Sequence, residues 1–187
     1  NRMGLFISED KGESWSEFGI EHYSELTYGR DIIPSPHDSN TFYAALSDSA
    51  RGQAGSLYRS ADLGENWTEI SSLPDVPGSE KWTLIPPPHH PHVKNIVFHP
   101  TEPATFFVLV EQGALLKTTD DGATWTELDG YASDADTQWH EVHRLMIHPH
   151  DPDLMYLATG EGLFRTRDGG KTFDNVHHRG ERLGYPE

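Results

Sequence analysis

The sequence predicts an all-β protein made of successive four-stranded antiparallel sheets, set radially around an axis and present as a partial ring. Three features of the chain point there. An eight-residue phrase of the form hydroxyl-x-Asp-x-Gly-x-polar-aromatic is repeated four times, with its Asp at positions 10, 62, 120 and 168. A second unit, an apolar run ending in Pro, then a polar turn, then another apolar run, stands three times between the copies. The 187 residues hold 13 Pro and 17 Gly and no helical period of useful length, which suits turn-rich β structure. Recurrence at roughly fifty residues marks a repeat architecture.

The phrase reads as a hairpin turn. Its first copy holds Ser8, Asp10, Gly12 and Trp15, and its second Ser60, Asp62, Gly64 and Trp67. The third holds Thr118, Asp120, Gly122 and Trp125, and the fourth Thr166, Asp168, Gly170 and Phe173. Short apolar runs flank each copy, such as Ala114-Leu-Leu116 before and Trp125-Thr-Glu-Leu128 after, and their aromatic and β-branched content favours strands. The Asp carboxylate is expected to accept hydrogen bonds from backbone N–H groups of its own turn. The Gly permits a positive φ where the chain reverses. The hydroxyl ties down the turn entrance, and the aromatic ring is expected to lie buried between strands. These roles account for every residue type in the phrase without any catalysis.

The second unit supplies the two inner strands. Arg30 to Pro36, Lys94 to Pro100 and His143 to Pro149 align, and each is followed by a polar turn and a run beginning at Thr41, Thr105 or Leu154. With the hairpin this makes four strands, A to D, with A next to the axis; that is the blade of a β-propeller. Complete blades are expected at 28–70, 92–129 and 140–176. Residues 1–18 supply strands C and D of an earlier blade, and 177–187 the start of a later one. About three and a half blades fall short of the four to eight of known propellers, so the chain, which opens on Asn1, reads as a piece of a longer frame whose remaining blades are missing.

The phrase resembles the Asp-box, or BNR repeat, of β-propellers such as sialidases, xyloglucan-degrading glycosidases, the sortilin luminal domain and photosystem II assembly factors. That resemblance implies the fold and places the boxes on outer hairpins away from any active site. It favours an extracytoplasmic or secreted setting, although no signal segment is visible. Tyr28-Gly-Arg30-Asp-Ile-Ile-Pro34 is similar to the Phe/Tyr-Arg-Ile-Pro motif of sialidases, but inserted residues keep the arginine role from being carried over.

A net charge of −16 argues against nucleic acid as a main partner. Cysteine is absent, so neither a disulfide framework nor thiol chemistry enters. No transmembrane run is present. The D-to-A connections gather eight of the twelve His residues: His22, His89, His90, His92, His140, His143, His177 and His178. Equivalent positions of a radial array meet at the axis. The expected ligand site is therefore Tyr28, Arg30, His92, Lys94, Trp139, His140 and His143 at one end of the channel. Arg30 and Lys94 suit a carboxylate or phosphate. His140-x-x-His143 is a chelating spacing, so a His-bound metal stays open, although the sequence requires no cofactor. His37, His99, His148 and His150 flank the A-to-B turn on the other face and read as structural. A binding scaffold for an anionic small molecule, a glycan or a protein comes first. A sialidase-like or other glycoside hydrolase is the alternative, and a His-rich metal site of a lyase or oxidase the second. The residues do not decide whether the chain is an enzyme.

Overall fold

The computed structural model describes residues 4–50, 54–70, 72–79, 82, 92–111, 113–132, 141–160 and 162–176. Among the described residues the regular structure is fourteen strands and two one-turn 3-10 helices, Ile20–His22 and Leu73–Asp75. Strands β1 (Phe6–Ile7) and β2 (Ser16–Glu17) form a two-stranded sheet, blade I. Blade II is β3 (Tyr28–Pro34), β4 (Phe42–Ser47), β5 (Gly55–Ser60) and β6 (Thr68–Ile70), paired in chain order. Blade III repeats this with β7 (Val93–Phe98), β8 (Phe106–Val110), β9 (Ala114–Thr118) and β10 (Thr126–Glu127). Blade IV does so with β11 (Val142–His148), β12 (Asp151–Thr159), β13 (Gly162–Thr166) and β14 (Asp174–Asn175). Every pairing is antiparallel. The innermost strands β3, β7 and β11 lie side by side, as a radial array requires.

Among the described residues the hydrophobic cores lie between blades. Leu5, Phe18 and Ile20 of the first segment pack on Ala44, Leu46, Tyr58 and Trp67 of blade II. Tyr43, Ala45 and Leu57 on the other face of blade II meet Ile96, Phe98, Phe106, Val108 and Leu116 of blade III. Phe107, Leu109 and Leu115, from the opposite face of blade III, meet Leu145, Met155, Leu157 and Phe164 of blade IV. Strand β8, Phe-Phe-Val-Leu-Val, is buried at all five residues because each of its faces meets a neighbouring sheet. A continuous apolar run is the expected signature of such a strand. Each such side chain stabilises by about 1.5–3 kcal/mol through burial.

The four Asp-boxes share one geometry. The hydroxyl of Ser8, Ser60, Thr118 or Thr166 donates to its Asp and accepts the Gly amide N–H. The Asp in turn accepts the backbone N–H of Ser14, Asn66, Thr124 or Thr172 at 2.8–2.9 Å, and also that residue's side chain. Two successive residues have positive φ: Lys11 and Gly12 (63° and 94°), Leu63 and Gly64 (61° and 88°), Asp121 and Gly122 (60° and 88°), Gly169 and Gly170 (71° and 93°). Such pairs make the tight turn whose twist suits a hairpin. The phrase pointed to the glycine alone; a non-glycine in the left-handed region precedes it in three copies. The N–H of the first residue of the pair is used in the last three copies: Leu63, Asp121 and Gly169 donate to the carbonyls of Asn40, Ala104 and Asp153, at the A-to-B turn or the start of strand B of the same blade.

The box glycine also seats the preceding blade. A methyl group at Gly64 would lie 2.3 Å from the Phe18 ring, at Gly122 2.9 Å from Ile70, and at Gly170 2.7 Å from Leu128. Phe18, Ile70 and Leu128 hold the same place, three residues past the aromatic of the box before. The aromatics themselves divide. Trp67 is buried, Trp125 and Phe173 are half-buried, and Trp15 is 64% exposed, which corrects the expectation of four equivalent buried rings. The cause is the neighbour. Blade I is two-stranded, and among the described residues no sheet lies behind it to cover Trp15.

Candidate functional site at the channel

Each innermost strand is interrupted by a bulge at the same register. In β3 it falls between Gly29 and Asp31, in β7 between Val93 and Asn95, and in β11 between Val142 and Arg144. The extra residues are Arg30, Lys94 and His143. A bulge re-aims the residue it inserts, and here all three such residues are basic.

Two of them join one network across the joint of blades II and III. Arg30 Nε donates to Ser47 Oγ at 2.9 Å, and its Nη2 donates to the carbonyls of Ser49 and Ala50 at 2.9 and 2.8 Å. The guanidinium stacks over the Tyr28 ring, 4.6 Å from its centroid. The same Nη2 lies 3.4 Å from Nδ1 of His92, whose Nε2 is 3.1 Å from Glu111 Oε2. Glu111 Oε1 accepts from Lys94 Nζ at 3.2 Å. Arginine as donor on one side and carboxylate as acceptor on the other fix His92 as the tautomer that carries its proton on Nε2. Burial raises the Glu111 carboxyl, but Lys94 and His92 outweigh it and hold the group below its ordinary value. Glu111 pairs the charge of Lys94, whereas Arg30 spends its donors on Ser47 and on the carbonyls of Ser49 and Ala50.

His143 stands apart from it. Its Nε2 is 3.8 Å from Glu141 Oε1, with both side chains about 40% exposed. Trp139 and His140 lie outside the described residues. Among the described residues no group of three or more His, Cys, Asp or Glu stands together for a metal. At the opposite end, His37 Nε2 donates to the His99 carbonyl at 2.7 Å. His99 Nδ1 accepts the N–H groups of Thr101 and Glu102, and His148 Nδ1 accepts that of His150. The rings of His37, His99 and His148 thus brace A-to-B turns.

One residue beyond the bulges lies a feature the sequence did not single out. A groove of about 420 Å³ runs along β3, β7 and β11, with Asp31, Asn95 and Arg144 in its wall and Ile33, Val97 and Phe98 among its apolar lining. Asp31 Oδ2 accepts the N–H of Ile96, which ties blade II to blade III. Burial pushes the Asp31 carboxyl up, against the hydrogen bonds from Ile96 and Ile32 and the charge of Arg144. Glu111 stands outside the D-to-A loops where the other site residues cluster in the sequence, because it closes strand B. The signal was the shared face of B-to-C and D-to-A loops, which brings Glu111 opposite Lys94.

Sheets, boxes and channel together define an Asp-box β-propeller. The profile of the Sortilin-Vps10 family, described as Sortilin, neurotensin receptor 3, matches residues 57–185, and the chain belongs to that family. Vacuolar protein sorting/targeting protein 10 of Fusarium vanettenii is 31% identical over 120 residues, covering 63% of this chain and 7% of that protein. The xyloglucanase of Hypocrea jecorina is 29% identical over 179 residues, 93% of this chain and 20% of the enzyme. Among solved structures, the GH74 enzyme of Niastella koreensis superposes with a TM-score of 0.67 at 16% identity, covering 95% of this chain and 27% of its own. YCF48 of Cyanidioschyzon merolae gives 0.55 at 17% identity, covering 93% and 49%. At these identities the solved structures speak for the fold alone. The chain spans 20% or less of the length of the curated relatives it matches. Among the described residues no helix is long and apolar enough to cross a membrane.

Proposed function

We propose that the chain is part of a ligand-binding propeller scaffold whose site is the channel end bearing Tyr28, Arg30, His92, Lys94 and His143, together with the groove beneath it. The observation that carries this reading is the groove. It has the volume of a small-ligand site, an apolar floor and a few convergent polar groups. Among the described residues its lining contains one carboxyl group, that of Asp31. Most glycoside hydrolases need two across the scissile bond. The Arg30–His92–Glu111–Lys94 network serves the site by holding two blades and the B-to-C loops in fixed register, so that the wall is preorganised.

A hydrolase is the second reading, favoured by the xyloglucanase relatives and by the raised Asp31 carboxyl, which is a property of general acids. Incubation of the purified protein with xyloglucan, with reducing ends followed over time, separates the two. The scaffold reading expects no release above that of Asp31→Asn. Release by the parent protein that disappears in Asp31→Asn overturns it in favour of hydrolysis.

A further inference from the structure

The charged groups of the molecule are of two kinds, closed and open. Lys94 and Glu111 meet at 3.2 Å, and Arg59 and Asp121 at 3.1 Å. Asp31 and Arg144 do not meet. Both line the same groove, and Arg144 acts on the Asp31 carboxyl as a charge through space. Among the described residues, however, no hydrogen bond or ion pair joins the two or engages the Arg144 guanidinium.

Their placement follows from register. Asp31, Asn95 and Arg144 each stand one residue past the bulge, opposite Ala45, Leu109 and Ala158 on the second strand. Equal rank on three adjacent inner strands sets carboxylate, amide and guanidinium in a row across the groove, in that order. The Ile96 N–H holds Asp31 Oδ2 at 2.9 Å, so the carboxylate is oriented before any ligand arrives. Ile33 and Val97 give the floor an apolar character, which strengthens charge interactions above it.

We propose that this groove takes a small zwitterion of the α-amino acid type, its ammonium facing Asp31, its carboxylate facing Arg144 and Asn95 between them, with an aliphatic side chain on the apolar floor. A ligand with one charge satisfies one end of the row and leaves the other without a partner. A zwitterion satisfies both, and the amide of Asn95 can donate to the carboxylate while accepting from the ammonium. The proposal rests on the scaffold reading and needs no reaction.

The test is calorimetric titration of the purified chain with three matched probes. L-leucine carries both charges, 3-methylbutylamine the ammonium alone, and 4-methylpentanoate the carboxylate alone. Leucine is expected to bind about tenfold or more tighter than either partial probe. Arg144→Gln, at an exposed side chain, should bring leucine down to the affinity of the amine. Asp31→Asn should bring it down to that of the carboxylate, with circular dichroism reporting whether the joint to Ile96 survives. Equal binding of the three probes, absence of leucine binding, or leucine binding unaltered in Arg144→Gln overturns the proposal. Those results differ from turnover of xyloglucan, which would overturn the scaffold reading instead.

Discussion

The first and third Asp-boxes make the same internal hydrogen bonds and differ in what stands behind them. In both, the hydroxyl, the Asp and the next polar residue close the same small ring of contacts. Behind the third box lies blade II. Ser72 Oγ donates to the Gly122 carbonyl and accepts from Trp125 Nε1, while the carboxylate of Asp121 is held by Tyr43 and Arg59. The Trp125 ring also meets Phe106 edge-on at 5.4 Å. Behind the first box, among the described residues, a methyl at Gly12 would meet only the box's own Trp15. The hydrogen bonds are thus a property of eight residues, whereas the burial is a property of two blades.

Glycine replacement tests that division most severely. Gly122→Ala combines a positive φ with a clash against Ile70 and should cost about 2–4 kcal/mol in urea unfolding. Gly12→Ala carries the backbone strain alone, about 1 kcal/mol. Equal losses would mean that the joint between blades contributes nothing at the glycine. The aromatic pair comes next. Trp125→Ala should lose about 2–3 kcal/mol, part of the cost of a core tryptophan, and Trp15→Ala under about 0.5 kcal/mol. A large loss at Trp15 would show that its ring is covered in solution.

A smaller effect belongs to the ion pair. Asp121→Asn keeps a residue that tolerates the left-handed region and removes the charge facing Arg59. Both side chains are more than a third exposed, so the loss should stay under about 1 kcal/mol and shrink further in high salt. The same substitution at Lys11 should leave stability unchanged within error. The smallest difference is expected in acid. Hydrogen bonds from the Ser14 side chain and amide, then from Ser8, hold the Asp10 carboxyl at about 2, and the corresponding bonds depress Asp62, Asp120 and Asp168. A depressed carboxyl contributes stability that is complete above its unfolded value near 4 and is lost as pH falls from about 4 towards 2. NMR titration should find Asp10 and Asp120 both depressed despite their unlike surroundings. An ordinary value for Asp10 alone would make the box depend on its neighbour after all.

The sheets were legible because each strand type recurs with its own turn chemistry: Pro at the A-to-B turn, Asp and Gly at the C-to-D hairpin. The fate of Trp15 was not, because burial depends on a sheet that eight residues do not encode. The equivalence of Arg30 and Lys94 was visible from their place before aligned apolar runs. That both sit on bulges, with His143 at the third, was not, since a bulge shows only when one strand is counted against its partner. Glu111 and the row of Asp31, Asn95 and Arg144 escaped for a related reason. They become neighbours through register across blades, and their residue types form no pattern within any one stretch.

The bonds from Leu63, Asp121 and Gly169 to the A-to-B carbonyls have a consequence for how such a chain can change. They fasten the two hairpins at one end of each blade to one another, so a residue gained or lost there would pull both out of line. At the far end the N–H groups of Glu111 and Gly160 hold the carbonyls of His92 and Glu141, the last residues of two D-to-A connections, while residues 18–27, 71–92 and 128–141 differ widely in length. Insertions and deletions are therefore sorted by mechanics to the margin where the channel opens. Descendants of one ancestral blade can acquire new recognition there by lengthening a segment, while the fastened rim preserves the spacing on which every blade-to-blade contact depends.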